Sequence, residues 1–385
     1  MIAFANRAAE VAAVAAQYAD EVDREARFPH ETLAALKDAR LLSILISEEL
    51  GGESANLSDV AEICSLIGQN CASSAMMYAM HNIKVSSLVS HGRDSDWHRG
   101  FMQRICEEQL LLASATTEGG IGGDLRNSIC AVEIDGDMFR LGKDATVISY
   151  GAHADAILVT ARRAPDAPSS DQVMAVVLRD QRKLNRTTGW DTLGMRGTCS
   201  EGFRLEAEAP AAQILPKPFA EIAAQSMLAT SHLLWSAVWF GVANNALARA
   251  QNFVRAQAKG RPNVTPPGAL RVAEAASMLQ LMRANTLDGL RRFARAQADS
   301  DELTSVGFAV AMNNIKVGAS RLAGEIINHA MLVCGILGYK NDTPFSIGRH
   351  MRDVLSAPIM ISNDRIFGNM SNLLLIHRLD PHLAS

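Results

Sequence analysis

The sequence lacks most marks of a metalloprotein, a disulfide-stapled secreted protein or a nucleic-acid-binding protein. Its six cysteines are scattered singly, with no C-x-x-C pair and no paired Cys/His spacing. This pattern disfavours a metal site or a disulfide framework and favours reduced cytoplasmic thiols. The 37 Lys and Arg residues stand against 41 Asp and Glu residues, for a formal charge of −4. Without a basic excess, nucleic acid is not expected to be the main partner.

Long uncharged runs are equally scarce. The exception is residues 222–248, where no Asp, Glu, Lys or Arg occurs over a length that could span a bilayer. Polar residues such as His232 and Asn244 interrupt this run, and burying them in lipid would be costly. We therefore predict a helix buried in protein rather than a membrane span. Residues 1–28 do not resemble a secretory signal, so a cytoplasmic protein is expected.

The 385 residues are enough for two or three domains. Three regions with different sequence patterns follow one another along the chain. Residues 1–112 are Ala-rich with helical periodicity. Residues 113–215 change to short apolar or alternating runs separated by turn residues, which predicts an antiparallel sheet or barrel. Residues 216–385 return to long helical periods, which predict a bundle. The expected fold is therefore mainly α, with a central β domain.

The segment TTEGGIGGD, residues 116–124, is the most informative loop. Its four glycines would let backbone N–H groups approach an anionic ligand closely, and Thr117 adds a hydroxyl. Contact with a phosphate or cofactor is one interpretation, and a glycine-rich turn between a helix and a strand is the other. The loop is neither a Walker A motif nor part of a Rossmann βαβ unit.

Several segments in order along the chain, including this loop, resemble the acyl-CoA dehydrogenase family of flavoproteins. The matching segments are residues 28–29 with 47–52, residues 117–124, residues 142–143 with 147–151 and 154–155, residues 193–200 with 209–210, and residues 335–339 with 352–353. The resemblance extends over nearly the whole chain. It implies an N-terminal helical domain, a middle β-barrel and a C-terminal four-helix bundle.

The resemblance also implies bound FAD and no metal. Thr117 and Ser149 would hydrogen-bond the isoalloxazine, and Ile148 would pack nearby. Backbone amides from Glu118 through Gly122 and Gly123 would lie along the flavin and pyrophosphate, and Asn363 would lie close to the dinucleotide. Because family members assemble as dimers of dimers, a homotetramer or homodimer is expected.

The activity that the resemblance implies is α,β-dehydrogenation of an acyl-CoA. A carboxylate removes the proton α to the thioester carbonyl while a hydride leaves the β carbon. The partner would be an electron-transfer flavoprotein or, for other chemistry, a flavin reductase.

The chain departs from the family where the catalytic base is expected. Most members keep a Glu at the position that falls on Ile361 here, and isoleucine cannot accept a proton. Members that place the Glu on the first long bundle helix match Ser231 and His232. The candidate bases are therefore His232 and, if the register shifts by a few residues, Asp364. A core histidine bound to a backbone carbonyl and a solvated helix-capping carboxylate are their structural alternatives.

Loss of the Glu keeps a second activity open. A flavin-dependent monooxygenase on the same fold needs no base for an α proton, because reduced flavin from a partner reductase activates O₂. A non-catalytic flavin-binding paralogue is the third possibility. The retained glycine-rich loop, Thr117 and Ser149 argue against it.

Overall fold

The computed structural model describes residues 2–121, 124–260 and 263–379. The N-terminal part is helical, as its periodicity predicts. Its helices are α1 (Ile2–Glu25), α2 (His30–Asp38), α3 (Leu57–Gly68), α4 (Ala72–His91) and α5 (Asp96–Glu108). Helix α3 begins with a capping box, in which the Asn56 side chain accepts from the N–H of Asp59 and the Asp59 side chain accepts from the N–H of Asn56.

Helix α4 lies at the centre of the molecule. It packs against α3, against the first bundle helix and against the first strand of the β region. Buried residues occupy every side of α4, including the polar His81, Asn82 and Lys84. A helix that is buried all round has no solvent-facing side, so each polar group on it needs a partner inside the protein or in a ligand.

The central region contains seven strands in the described residues. They are β1 (Leu112–Ala115), β2 (Glu133–Asp135), β3 (Met138–Ile148), β4 (Ala156–Arg162), β5 (Gln172–Leu178), β6 (Arg182–Thr188) and β7 (Glu201–Pro210). One sheet has the order β1-β4-β5 and the other the order β2-β3-β7-β6. The β1–β4 pair is parallel, which the alternating pattern did not predict, because alternation reports burial on one face and not strand direction.

The C-terminal part is a helical bundle. Its helices are α6 (Phe219–Ile222), α7 (Leu228–Gly260), α8 (Ala269–Ala296), α9 (Ser300–Thr304), α10 (Val306–Cys334), α11 (Ile336–Tyr339), α12 (Gly348–Val354) and α13 (Asn363–Leu373). Helices α7, α8 and α10 contact one another, and α13 packs on α10. A π-helical turn at Ala223–Met227 joins α6 to α7.

The expected fold class, mainly α with a central β region, is confirmed. The uncharged run at 222–248 forms α7 and the turn before it, and it packs against α3, α4, α8 and α10. No helix in the described ranges is both long and apolar enough to cross a bilayer. The domain boundaries after residues 112 and 215 stay predictions; they fall at the start of β1 and shortly before α6.

Candidate active site

A cavity of about 650 Å³ lies where α4, the β region and the bundle meet. We call it the central cavity. Helix α4 contributes Met80, Ile83 and Lys84; the β region contributes Ser114, Thr116, Thr117, Asp124, Leu125, Arg126, Val147, Ser149 and Tyr150; and the bundle contributes Met227, Leu228, Ser231, His232, Trp235, Asn313, Ile359, Met360, Ile361, Ser362, Arg365, Ile366 and Asn369. Residues from all three parts of the chain therefore share one space, as ligand sites between packed units commonly do.

The β side of the cavity, which we call the β wall, presents two hydroxyls. The Thr117 hydroxyl donates to the carbonyl oxygen of Val147 at 3.1 Å, so its lone pairs remain available. The Ser149 hydroxyl accepts from the Ser200 hydroxyl at 2.8 Å, so its own proton remains available. One acceptor and one donor thus border the cavity on rigid backbone.

Strand periodicity separates Ile148 from this wall. Val147 and Ser149 both line the cavity, whereas Ile148 between them is fully buried in the core. Successive side chains of an extended strand point to opposite faces. The Ile148 side chain therefore faces the core. Packing of Ile148 beside the flavin stays a prediction, and its position does not favour it. The alternation of inward-facing and outward-facing side chains along a strand could have indicated this from the sequence.

The carboxylate of Glu118 is used inside the protein. It accepts hydrogen bonds from the Ser128 hydroxyl at 2.9 Å and from the N–H groups of Ile129 and Cys130 at 3.0 and 2.6 Å. The buried Lys143 ammonium lies 3.5 Å away. Burial lowers the pKa of Lys143, although the charge of Glu118 opposes that shift. The side chain of Glu118 thus holds the glycine-rich loop in place, so any contact with a cofactor would come from its backbone.

The glycine-rich loop is only partly described. Gly119 donates its N–H to the Asp144 carbonyl oxygen at 3.0 Å, which ties the loop to β3. Gly120 has φ +88°, a conformation that favours glycine. Gly122 and Gly123, both predicted to contact the cofactor, lie outside the described residues.

The bundle side of the cavity, together with α4, forms what we call the helical wall. His232 on α7 is almost fully buried, and its Nδ1 lies 3.2 Å from the Met312 carbonyl oxygen. Because a carbonyl only accepts, Nδ1 carries the proton and Nε2 keeps its lone pair. In the described part of the chain Nε2 has no hydrogen-bond partner, and neither does the buried indole N–H of Trp235.

Burial also sets the protonation state of His232. Desolvation, helped by the positive charge of Lys316, lowers the pKa of His232 to about 4. The imidazole is therefore neutral at physiological pH. Both predictions for His232 fit this geometry: one ring nitrogen is bound to a backbone carbonyl, and the other is buried without a hydrogen-bond partner in the described residues.

Ile361 lines the cavity at the position where the family Glu was expected. Its φ is +52°, and its carbonyl oxygen accepts from the Lys316 ammonium at 2.5 Å. The same ammonium donates to the Asn363 side-chain oxygen at 2.8 Å, and the Asn363 amide donates to the Ser320 hydroxyl at 3.0 Å. The Asn363 side chain is thus bound to α10 and does not line the cavity.

Open carboxylates are absent from the cavity lining within the described ranges. Asp364 is exposed in the first turn of α13 and does not line the cavity, a position typical of a carboxylate that stabilises a helix start. Asp124 does line the cavity, but it accepts from the backbone and side chain of Arg126. Burial raises the pKa of Asp124, but the hydrogen bonds from Arg126 outweigh it and the net pKa is lowered.

Lys84 is a cavity residue that the sequence reasoning missed. It is 7% exposed and lies on α4 facing the central cavity. Burial lowers its pKa to about 7. A signal was available: Lys84 is the single charged residue, His aside, between Ala72 and His91. Periodicity does not reveal it, because α4 is buried on every side.

Comparison with known families agrees with the fold. The model of the acyl-CoA dehydrogenase N-terminal domain matches residues 3–109, and that of the acyl-CoA dehydrogenase C-terminal domain matches residues 222–362. The chain belongs to the acyl-CoA dehydrogenase family. As a member of this family it is an oxidoreductase and a flavoprotein, with FAD as the family's cofactor.

Individual relatives in the family are distant in sequence. Cyclohex-1-ene-1-carbonyl-CoA dehydrogenase of Geobacter metallireducens is 26% identical over 353 residues, 90% of each chain. The probable acyl-CoA dehydrogenase FadE25 of Mycobacterium tuberculosis is 23% identical over 355 residues, 91% of this chain and 88% of that one. Both alignments run through the helical parts and the β region.

Solved structures share the same fold. FMN-bound TdsC from Paenibacillus sp. A11-2 superposes with a TM-score of 0.85 at 20% identity, over 99% of both chains. Nitrososynthase from Micromonospora carbonacea var. africana superposes with a TM-score of 0.81 at 19% identity, over 97% of this chain and 96% of that one. At these identities the likeness concerns the fold alone.

The central cavity of this acyl-CoA dehydrogenase family member fits a flavin. The polar edge of an isoalloxazine carries ring nitrogens and carbonyl oxygens that accept hydrogen bonds, and one N–H that donates. The β wall offers the Ser149 proton and the Thr117 lone pairs to that edge. The apolar side chains of Val147 and Leu125 line the same wall. In the described ranges no cluster of three or more His, Cys, Asp or Glu side chains is placed to hold a metal ion.

Proposed function

We propose that the chain is an FAD-dependent dehydrogenase that oxidises the Cα–Cβ bond of an acyl thioester, with His232 as the proton acceptor. The observation that carries this proposal is the buried, unpartnered Nε2 lone pair of His232 in the cavity lining. The acyl-CoA substrates printed in the names of the family relatives support the substrate class. When bound, FAD supplies the acceptor for the hydride.

His232 is in the protonation state that this role needs. Burial lowers its pKa to about 4, so the imidazole is neutral at physiological pH and can accept a proton. The Met312 carbonyl fixes the tautomer and ring orientation that keep Nε2 free.

The helical wall supports this base in two further ways. The Trp235 indole N–H is buried without a partner, and its ring centroid lies 6.3 Å from that of His232. It can donate to a carbonyl oxygen of the substrate, where negative charge grows as the α proton leaves. The apolar side chains of Met227 and Leu228 line the same cavity, and apolar surroundings strengthen each of these interactions.

Anaerobic reduction of the bound flavin tests the proposal. Short, branched and alicyclic acyl-CoAs are mixed with the holoprotein, and bleaching of the flavin absorbance is followed. We expect at least one of them to bleach the flavin, and His232→Gln to slow that step by about 100-fold to 10,000-fold, the usual contribution of a general base. Ser231→Ala is the matched control, because its hydroxyl is already bound to the Met227 carbonyl oxygen at 2.6 Å.

A rescue variant sharpens the test. Ile361→Glu places a carboxylate at a second position of the same cavity lining, and in the His232→Gln background we expect it to restore part of the lost rate. If no acyl-CoA bleaches the flavin of the wild-type protein, that result would contradict dehydrogenation. Full activity of His232→Gln would remove His232 from the role while leaving dehydrogenation intact.

The absence of an open carboxylate in the described cavity lining favours one alternative, a flavin-dependent monooxygenase. Reduced flavin would then come from a reductase, and the helical wall would bind an aromatic or otherwise neutral substrate. This alternative predicts fast reoxidation by O₂, through a transient whose spectrum differs from those of oxidised and reduced flavin. Slow reoxidation with quantitative hydrogen peroxide would contradict it.

The partners follow from the proposed chemistry. For dehydrogenation we propose an electron-transfer flavoprotein as the acceptor, and for the alternative a flavin reductase as the donor. We also propose a homodimer or homotetramer, because α11 and the chain after α13 expose large apolar side chains: Ile336, Tyr339, Leu375 and Ile376. Light scattering on purified protein measures the assembly. The six free thiols support a cytoplasmic location.

A further inference from the structure

Three lysines are buried in the described part of the chain, and they differ in what their ammonium groups contact. Lys143 donates to the Thr160 carbonyl oxygen at 2.7 Å and pairs with Glu118. Lys316 donates to the Ile361 carbonyl oxygen and to the Asn363 side chain. Lys84 has neither a hydrogen bond nor an ion pair within those residues, and it faces the central cavity.

The other polar side chains on α4 do not serve as partners for Lys84. His81 is held at both ring nitrogens, by the Leu42 carbonyl oxygen at 2.7 Å and the Leu112 N–H at 3.0 Å. Asn82 donates to the Tyr78 carbonyl oxygen at 2.9 Å. The Asn82 side-chain oxygen also lacks a partner, but Asn82 does not line the central cavity. Lys84 is therefore the charged group of this helix that is left to a ligand.

No carboxylate in the described cavity lining is free to neutralise Lys84. Asp124, the acidic residue of that lining, is bound by Arg126 and by the Asn127 side-chain amide, the latter at 2.9 Å. A buried cation without a counter-charge is costly, because no opposite charge compensates for the removal of the ammonium from water. A ligand that brings a negative charge to Lys84 would recover much of that cost.

We propose that Lys84 is the anion-binding residue of a subsite for an acyl chain that ends in a carboxylate. The proposal rests on the proposed function for the thioester end of this ligand. Beside Lys84 the cavity is lined by Met80, Ile83 and Met227, apolar side chains that suit a methylene chain. A cation beside apolar side chains in one cavity favours a single carboxylate on an aliphatic stem.

Binding of matched acyl-CoA pairs to the holoprotein tests the subsite. The pairs are succinyl-CoA with butyryl-CoA, glutaryl-CoA with pentanoyl-CoA and adipyl-CoA with hexanoyl-CoA; within each pair a terminal carboxylate replaces a methyl group. Dissociation constants come from the perturbation of the flavin spectrum and from calorimetry. In at least one pair we expect the wild type to bind the carboxylate member tenfold or more tightly.

Variants then assign the preference to Lys84. Lys84→Met should reverse it in favour of the methyl member, and Lys84→Arg should keep part of it. Lys259→Met, the same change at an exposed lysine of α7 outside the cavity lining, should leave it unchanged. If Lys84→Met does not fold, Lys84→Gln takes its place, and the wild-type preference remains a test by itself.

Three results would overturn the subsite. They are the absence of a carboxylate preference in all wild-type pairs, a preference that survives Lys84→Met and Lys84→Gln, and loss of flavin from both variants, which would make Lys84 a cofactor residue. Failure of the proposed function looks different. In that case no acyl-CoA bleaches the flavin, while the binding preference that depends on Lys84 is still measured.

Discussion

The two walls of the central cavity differ in how many of their polar groups already have hydrogen-bond partners within the protein. On the β wall the hydroxyls of Thr117 and Ser149 are already in hydrogen bonds, and Glu118 behind them is fully bonded. On the helical wall His232 Nε2 and the Trp235 N–H have no partner in the described residues, and neither has Lys84. Each of these β-wall groups already makes a hydrogen bond within the protein, whereas these atoms of the helical wall make none.

The difference follows the resemblance to the family. The β wall carries the residues that resemble the family's loop and hydroxyls, so we assign the shared cofactor to it. The helical wall has Ile361 where the family Glu was expected and carries Lys84, so we assign to it what is specific to this chain. A buried polar group without a partner costs about 1–3 kcal/mol. For residues that line a cavity, a ligand can supply the missing partner, which is why we assign substrate recognition to this wall.

Among the variants that distinguish the two walls, Glu118→Gln is expected to have the largest effect, a loss of unfolding free energy. This change leaves the Lys143 ammonium buried with a neutral neighbour, and breaking a buried pair in this way costs about 3–5 kcal/mol. Urea unfolding of the holoprotein measures it. Glu208→Gln, at the exposed pair with Arg140 on the same sheet, should leave the unfolding midpoint unchanged. Equal losses in both variants would show that the β wall is not held by Glu118.

The pH dependence of stability probes the helical wall. His232 is neutral when folded, with a pKa of about 4, but takes up a proton near pH 6.5 when unfolded. The unfolded state therefore binds more protons between these values, and stability is lost as the pH falls from 6.5 toward 4. In His232→Gln the slope of unfolding free energy against pH should fall by about 1 kcal/mol per pH unit. Identical slopes would mean that the fold does not lower the pKa of His232.

Cofactor affinity should change more modestly at the β wall. Ser149→Ala removes one hydrogen-bond donor, for which we expect about a tenfold weaker flavin complex, or about 1.4 kcal/mol. Fluorescence titration of the apoprotein with FAD measures the change. Ser231→Ala on the helical wall should leave FAD affinity as it is. A larger effect at Ser231 than at Ser149 would reverse the assignment of the two walls.

The smallest effect is expected at Asp364. Its carboxylate is exposed and outside the cavity lining, so Asp364→Asn should leave the rate of flavin reduction unchanged. Stopped-flow absorbance with the best acyl-CoA measures that rate, alongside His232→Gln. A loss of 100-fold or more in Asp364→Asn alone would make it the base and remove His232 from that role.

Much of the fold could be predicted from local patterns. The helical periods, the strand-like runs of the middle region and the buried helix at 222–248 all depend on residues close together in sequence. The two β-wall hydroxyls were also identified, since they lie in a recognisable loop and strand. The sequence did not predict which groups the Glu118 carboxylate would bind. Its partners, at residues 128–130 and at Lys143, become neighbours only after the strands pair.

The sequence by itself determined the order of helices and strands, the family and the loss of a carboxylate at Ile361. These are properties of local composition and motif spacing. Only the tertiary structure decided which polar groups remain open, because a hydrogen bond or a counter-charge is supplied by distant segments. Met312 lies 80 positions from His232, and no local pattern shows that it satisfies one ring nitrogen and leaves the other free.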